Sequence, residues 1–437
     1  MQDILKVCAA ISALMVASCF GPFGGGKAAR TSGPPSLQVR FDSATATASL
    51  TWERASGYNF SHYAIKRSNG RGFVNIAELE TVDDTSFVDA GLQADLLYHY
   101  KVVSYSSVGE DDLQPLASTA VQGGIHDFVN MWALPGDSTE FRPTRLVVGS
   151  RGTVSVVGVG SGRVARFDRA GNSLGTLEFT TKPLACLETG ILDGPALALD
   201  SHDNLYVAYN VQQELGAPQA FWSKFDSSGQ HLWTLPLEGI FARHIAIDRD
   251  DQPFIESISQ LQQYNAKGER LARFNIPALL VASLRFWKGN FATLVEPLQL
   301  IEGTWQAPRL VVYEGVERAT AATSIGRDPL SAEDNGSGLL KRPTDFVVDE
   351  TASRAFVVNA GQSRIEVFRE GKFLTRWGRQ GEAAGHFRFS GSHVVIDDIS
   401  SGTMTERQVV AGGIARDRRG YIYVADTFNN RIQKFQP

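Results

Sequence analysis

The chain has 437 residues, 43% of them hydrophobic and 20% charged, and a formal net charge of −5. That length exceeds what one hydrophobic core usually organises, so two folded units are expected. A small negative charge with no basic arm or patch excludes nucleic acid as the expected partner. Glycine is abundant and methionine scarce, 42 residues against 4. With frequent valines and aromatics, this points to an all-β chain of strands and tight turns.

At the start, Lys6 precedes an almost wholly apolar or small run, residues 7–18. The run is shorter than the roughly 20 residues a spanning helix needs. It suits the apolar core of a signal peptide. It ends Val16-Ala17-Ser18-Cys19, which resembles a bacterial lipobox, although Asp3 and a single Lys6 make a weaker leading region than usual. The resemblance implies that residues 1–18 are removed, that the Cys19 thiol is acylated, and that lipid holds the protein to a membrane of the cell envelope. Phe20, rather than an aspartate, implies the outer membrane if the organism is Gram-negative, with the protein periplasmic or surface-exposed. Cys186 is then left alone, so no intrachain disulfide is expected, and it reads as a small buried hydrophobe. Residues 19–36, rich in Gly, Pro and Ser, read as a flexible tether.

Between 37 and 122, seven short runs alternate apolar and polar residues: 37–41, 48–52, 62–66, 73–77, 85–89, 98–105 and 116–121. Period two over so many short runs predicts a β-sandwich. Trp52 in "SLTWE", and "SFVDAGL" followed by Tyr98-His-Tyr100-Lys-Val102, resemble a fibronectin type III domain. The resemblance implies a tyrosine corner at Leu92 and Tyr98, with the Tyr98 hydroxyl bonded to nearby backbone. A spacer or docking role is expected, with the aromatics serving the core.

From 125 to 437 the chain repeats itself. Residues 412–435, "GGIARDRRGYIYVADTFNNRIQKF", and 343–368, "PTDFVVDETASRAFVVNAGQSRIEVF", resemble NHL repeats, with weaker copies at 143–167, 195–225 and 244–264 and a degraded one near 280–313. The resemblance implies a six-bladed NHL-type β-propeller. Tyr206-Val207, Phe254-Ile255, Phe356-Val357 and Tyr423-Val424 then fill the layers between blades. The last copy has only three strands, so residues 128–134 are expected to pair beside 431–435 and close the ring.

The sequence has no His-x-x-x-His and no paired-Cys metal spacing. No catalytic residue, metal or cofactor is therefore assigned, and an enzyme is the less favoured reading. Arg163, Arg364 and Arg431 recur from repeat to repeat and are expected to serve the repeat. Asp200, Asp248, Asp349 and Asp417 end first strands and are expected to form turns. Residues that do not repeat are more informative. Arg145, Ala196, His244, Asp345 and Gly413 open first strands and should face the channel mouth. Arg145, His244 and Asp345 differ from one another and are polar, as an asymmetric ligand site requires. Two long loops, 211–220 and 386–409, fall on the same side, the second containing Phe387, Phe389 and the Asp397-Asp398 pair, so both aromatics are candidates for ligand contact. The expected function is a lipid-anchored binding or scaffold protein whose propeller face takes a protein or glycan. The alternative is a metal-dependent lyase or hydrolase at the channel mouth. Relatives of NHL propellers include zinc-dependent amidating lyases, but only His244 holds a comparable position here.

Overall fold

The computed structural model describes residues 36–437 except 44, 56–58, 70–71, 94–97, 108–112, 125, 127, 135–140, 181–182, 185, 189, 214–216, 259, 277–280, 296–299, 302–303, 306–307, 316–319, 330–334 and 399–402. The signal peptide, Cys19 and the tether lie outside the described residues.

Residues 36–123 form two antiparallel sheets. One has the order Leu37–Asp42, Thr47–Trp52, Ser86–Ala90; the other has Val74–Leu79, Phe60–Ser68, Tyr98–Ser107 and Leu113–Ala117, with Val121–Gly123 also on Tyr98–Ser107. Alternation works as expected: in Thr47–Trp52 every second side chain is buried. Trp52 meets Tyr63 edge-on across the two sheets, 5.5 Å between ring centroids. The Tyr98 hydroxyl accepts a hydrogen bond from the Gln93 amide at 2.9 Å beside the buried Leu92. The seventh run differs from expectation. It is two strands, interrupted where Ser118 bonds twice to Val102, through its amide to the carbonyl and through Oγ to the amide.

Among the described residues, the rest of the chain contains six four-stranded antiparallel sheets, each named by its first strand: I, Arg142–Val148; II, Ala196–Leu199; III, His244–Ile247; IV, Val281–Trp287; V, Asp345–Asp349; VI, Gly413–Arg416. Each first strand touches the next, and that of VI touches that of I, so the sheets stand in a closed ring. This is a β-propeller. Its cause is burial: one sheet has two faces to cover, and only neighbours on both sides cover them. Tyr206, Val207, Ile255, Phe356, Val357, Tyr423 and Val424 are fully buried, and Phe254 nearly so.

The last sheet is completed from the front of the chain. Phe128–Ala133 pairs antiparallel with Arg431–Phe435, in register from Arg431 opposite Ala133 to Phe435 opposite Phe128. In sheet IV, the degraded repeat, Lys288 and Gly289 both have positive φ (51° and 78°) and turn the hairpin between Trp287 and Asn290. The fourth strand of every sheet carries a one-residue bulge near the end of the third: Leu174, Leu232, Leu271, Ala322, Leu374 and Val129 each lack a partner in the ladder.

The turn aspartates do what their chemistry suggests. Asp200 accepts from the amides of His202 and Asn204, Asp248 from those of Asp250 and Gln252, and Asp417 from those of Arg419 and Tyr421. Neighbouring sheets are latched at these turns. Ser150 bonds Asp203 through amide and hydroxyl at 2.8 and 2.5 Å, and Ser201 bonds Asp251 the same way at 2.7 and 2.6 Å. Arg364 and Arg431 serve the repeat: each pairs with a buried carboxylate, Glu366 or Asp426, and ties down loop carbonyls at 335–336 or 382–386.

Between the sandwich and the ring, His126 enters the seam of sheets V and VI. Its ring lies 4.9 Å from that of Trp377 and 5.4 Å from that of Phe356, and Nδ1 donates to the Gln436 carbonyl. Burial pushes its pKa down to about 4, with Arg354 and Arg416 acting in the same direction. The sandwich also touches sheet V directly, where the Thr375 hydroxyl donates to the Leu92 carbonyl at 3.1 Å.

Candidate functional site: the capped channel mouth

The ring brings together Arg145, the fourth residue of the first strand of sheet I, and His244 and Asp345, which open the first strands of sheets III and V. Arg145 crosses the channel. The corresponding residues of its two ring neighbours are small, Ala196 and Gly413. A Cβ on Gly413 would meet the Thr144 carbonyl at 2.5 Å, so the close approach of sheets I and VI requires glycine there.

Arg145 Nη2 donates to the Ala282 carbonyl at 2.7 Å and lies 3.3 Å from His244 Nδ1, and Nη1 forms an ion pair with Asp345 at 3.2 Å. His244 Nε2 in turn donates to the Val281 carbonyl at 2.7 Å, which fixes the tautomer. Asp345 accepts from the Ser283 hydroxyl at 2.6 Å, from Arg285 at 3.2 and 3.3 Å and from the Ile414 amide at 3.0 Å. It thereby joins sheets I, IV, V and VI. Beside it, Arg243 faces Glu256 at 3.8 Å and shares the Val281 carbonyl with His244.

Arg145, His244 and Asp345 are all buried, 5%, 3% and 0% exposed. Burial, reinforced by Arg145 and Arg243, holds the His244 pKa well below its usual value, so the ring is neutral. Burial opposes the charge on Arg145, but Asp193 and Asp345 more than offset it and raise its pKa. The three residues therefore converge as expected of a site, but they are consumed in one another's hydrogen bonds. Ser283, Arg285, Arg243, Glu256 and Asp193 complete the constellation and were not singled out from the sequence. Arg243 stands next to His244, and Ser283 fills the place in sheet IV that the degraded repeat concealed.

A second, smaller sheet covers this mouth. It is built from the connection between sheets I and II, strands Cys186–Glu188 and Ile191–Asp193, and from that between sheets V and VI, strands Ser390–Asp398 and Thr403–Val410. The two arms meet at a parallel bridge, Ile191 to Val410. The 386–409 loop of the sequence reading is thus largely a β-hairpin. Two identical Arg-Pro-Thr segments, 142–144 and 342–344, clamp it: Arg342 donates to the Gly190 carbonyl on one arm, and Arg142 to the Ser392 carbonyl on the other at 2.7 Å. From the first arm Asp193 reaches down to Arg145 and accepts two hydrogen bonds, 3.1 and 2.8 Å.

Phe387 and Phe389 require a correction. Both are 0% exposed, and their rings stack on each other at 4.9 Å. Phe387 also packs against Phe435. They root the hairpin in the core and present no surface to a ligand. Among the described residues, no group of three or more His, Cys, Asp or Glu side chains is placed to hold a metal. Both nitrogens of His244 are already engaged.

No protein-family model matches the chain, and no curated protein matches it. Among solved structures it is similar to virginiamycin B lyase from Staphylococcus aureus, at 11% identity over 70% of this chain and 98% of that one, with a TM-score of 0.39. It is also similar to the WD40 domain of Neurospora crassa Pan2, at 10% identity over 71% and 95% of the two chains, with a TM-score of 0.42. A glucose dehydrogenase is similar at 10% identity over 71% and 99%, with a TM-score of 0.43.

Proposed function

We propose that the protein is a lipid-anchored envelope component that binds a protein or glycan partner through the capped face of a six-bladed NHL-type propeller. In this reading Cys19 carries the lipid, residues 19–36 are the tether, and residues 37–122 form a fibronectin type III spacer. One observation carries the binding reading over catalysis. Arg145, His244 and Asp345 are tied up in hydrogen bonds and ion pairs within the protein, while the cap sheet, the main elaboration of the ring, stands on the same face. A reacting group needs access and spare hydrogen-bonding capacity, and Arg145, His244 and Asp345 have neither.

The test is partner capture by crosslinking in intact cells. One strain carries the native protein and the other a version in which the 390–410 hairpin is replaced by a short turn. Loss of a specific crosslinked partner supports the reading, and an unchanged set overturns it. Stoichiometric zinc in the purified protein, lost on His244→Ala, would favour the lyase instead.

A further inference from the structure

The buried and half-buried charges of the mouth balance only with the cap in place. Three guanidinium groups, Arg145, Arg243 and Arg285, face three carboxylates, Asp193, Asp345 and Glu256. Five of the six stand on the ring itself, on inner or second strands or immediately before one. Asp193 alone belongs to the cap. His244, between Arg145 and Glu256, is neutral and supplies no countercharge. Without Asp193 the ring would hold a buried guanidinium in excess of its carboxylates, a state strongly disfavoured in a low-dielectric interior.

The geometry at Arg145 is that of ligand recognition. Nε and Nη2 grip both oxygens of one carboxylate side by side, while the remaining donors are fixed by ring carbonyls and Asp345. The gripped group arrives on a short arm whose joins to the rest of the cap and ring include one bridge at Ile191, the Gly190 carbonyl contacts with Val410 and Arg342, and the packing of Leu192.

We propose that the channel mouth is a receptor site for a planar carboxylate, occupied here by the chain's own Asp193. The site takes a small organic carboxylate when that arm is absent from it. Its selectivity follows from the fork: a carboxylate meets both guanidinium donors, whereas chloride meets them only as a point charge. This inference deepens the proposed binding function and rests on the capped face being the functional one.

The experiment is chemical rescue of the chain without its leader and Cys19, residues 20–437, carrying Asp193→Ala, with acetate as the probe. The variant should melt several degrees below the native protein. Acetate should restore much of that loss in a saturable way, and sodium chloride at equal ionic strength should not. The native protein, whose tethered carboxylate competes at high effective concentration, should respond far less. Arg145→Met added to Asp193→Ala should abolish the acetate response. If Asp193→Ala does not fold, Asp193→Asn, which keeps the shape and one acceptor, takes the same titration under the same criteria. Equal responses to acetate and chloride, a response unchanged in the double variant, or an equal response in the native protein would each overturn the proposal. Acetate rescue needs no partner, so failure of partner capture and failure of the carboxylate site are distinguishable.

Discussion

Ile432 lies opposite Trp132 in the antiparallel ladder that joins the end of the chain to the start of the ring. Trp132 also packs on Phe167 and Tyr423, and Gly171 lies so close that a Cβ there would touch the indole. The closing strand is therefore held by packing on sheets I and VI as well as by backbone bonds. Trp132→Ala should cost about 3 kcal/mol by urea denaturation. A loss within about 0.5 kcal/mol, the range of an ordinary surface change, would show that closure does not depend on this contact.

Asp345 is the hub of the channel network, and its removal strands Ser283, Arg285 and Arg145 together. Asp345→Ala should destabilise the protein by about 3–5 kcal/mol, the usual consequence of breaking a buried ionic pair from one side. Denaturant midpoints measured with an unchanged slope are the check. A near-neutral result would mean that water enters the channel and solvates the remaining charges.

Acid should loosen the junction between sandwich and ring. The folded protein keeps His126 neutral to about pH 4, whereas the unfolded chain protonates it near 6.5. The folded state thus binds fewer protons in that interval. The contribution of His126 is complete above pH 6.5, falls as pH falls, and is lost below about 4. A shift of this size corresponds to about 3 kcal/mol. The neutral His244 acts in the same direction. Stability measured against pH should flatten in His126→Phe, which keeps an aromatic ring between Trp377 and Phe356. An unaltered profile would assign the acid sensitivity elsewhere.

The two clamps on the cap should act locally. Arg142→Ala and Arg342→Ala each remove a side chain bonded to a cap carbonyl while leaving the ring's ladders intact. Hydrogen exchange should quicken in strands Ile191–Asp193 and Thr403–Val410 and stay unchanged in sheets II and III. Faster exchange throughout would mean that the clamps stabilise the whole ring. Phe387→Ala, by contrast, should cost about 3–5 kcal/mol globally, because it empties a fully buried site.

Much of this architecture was legible because repeats repeat physics. Tyr206, Phe254, Phe356 and Tyr423 recur at one place in their units because every sheet buries the same layer. The three-stranded last copy implied the pairing of 128–134 with 431–435. Arg145, His244 and Asp345 stood out because the place they share otherwise varies, and the ring does gather them. That Arg145 is closed off by Asp193 was not legible, because Asp193 arrives from the I–II connection, which the repeat pattern does not predict. Ser283 and Arg285 were hidden by the degraded fourth copy. Phe387 and Phe389 were misjudged because an aromatic pair in a long insertion reads alike whether it faces a ligand or anchors a hairpin; only the partner Phe435 decides it.

The skipped residue in every outermost strand bears on how the molecule keeps apart from its own kind. A perimeter of six exposed strand edges would otherwise invite sideways zippering between copies, the route to fibres. With Leu174, Leu232, Leu271, Ala322, Leu374 and Val129 each out of step, a straight neighbour loses register within a few residues. Two such rims brought together therefore meet a break in the ladder at every outer strand.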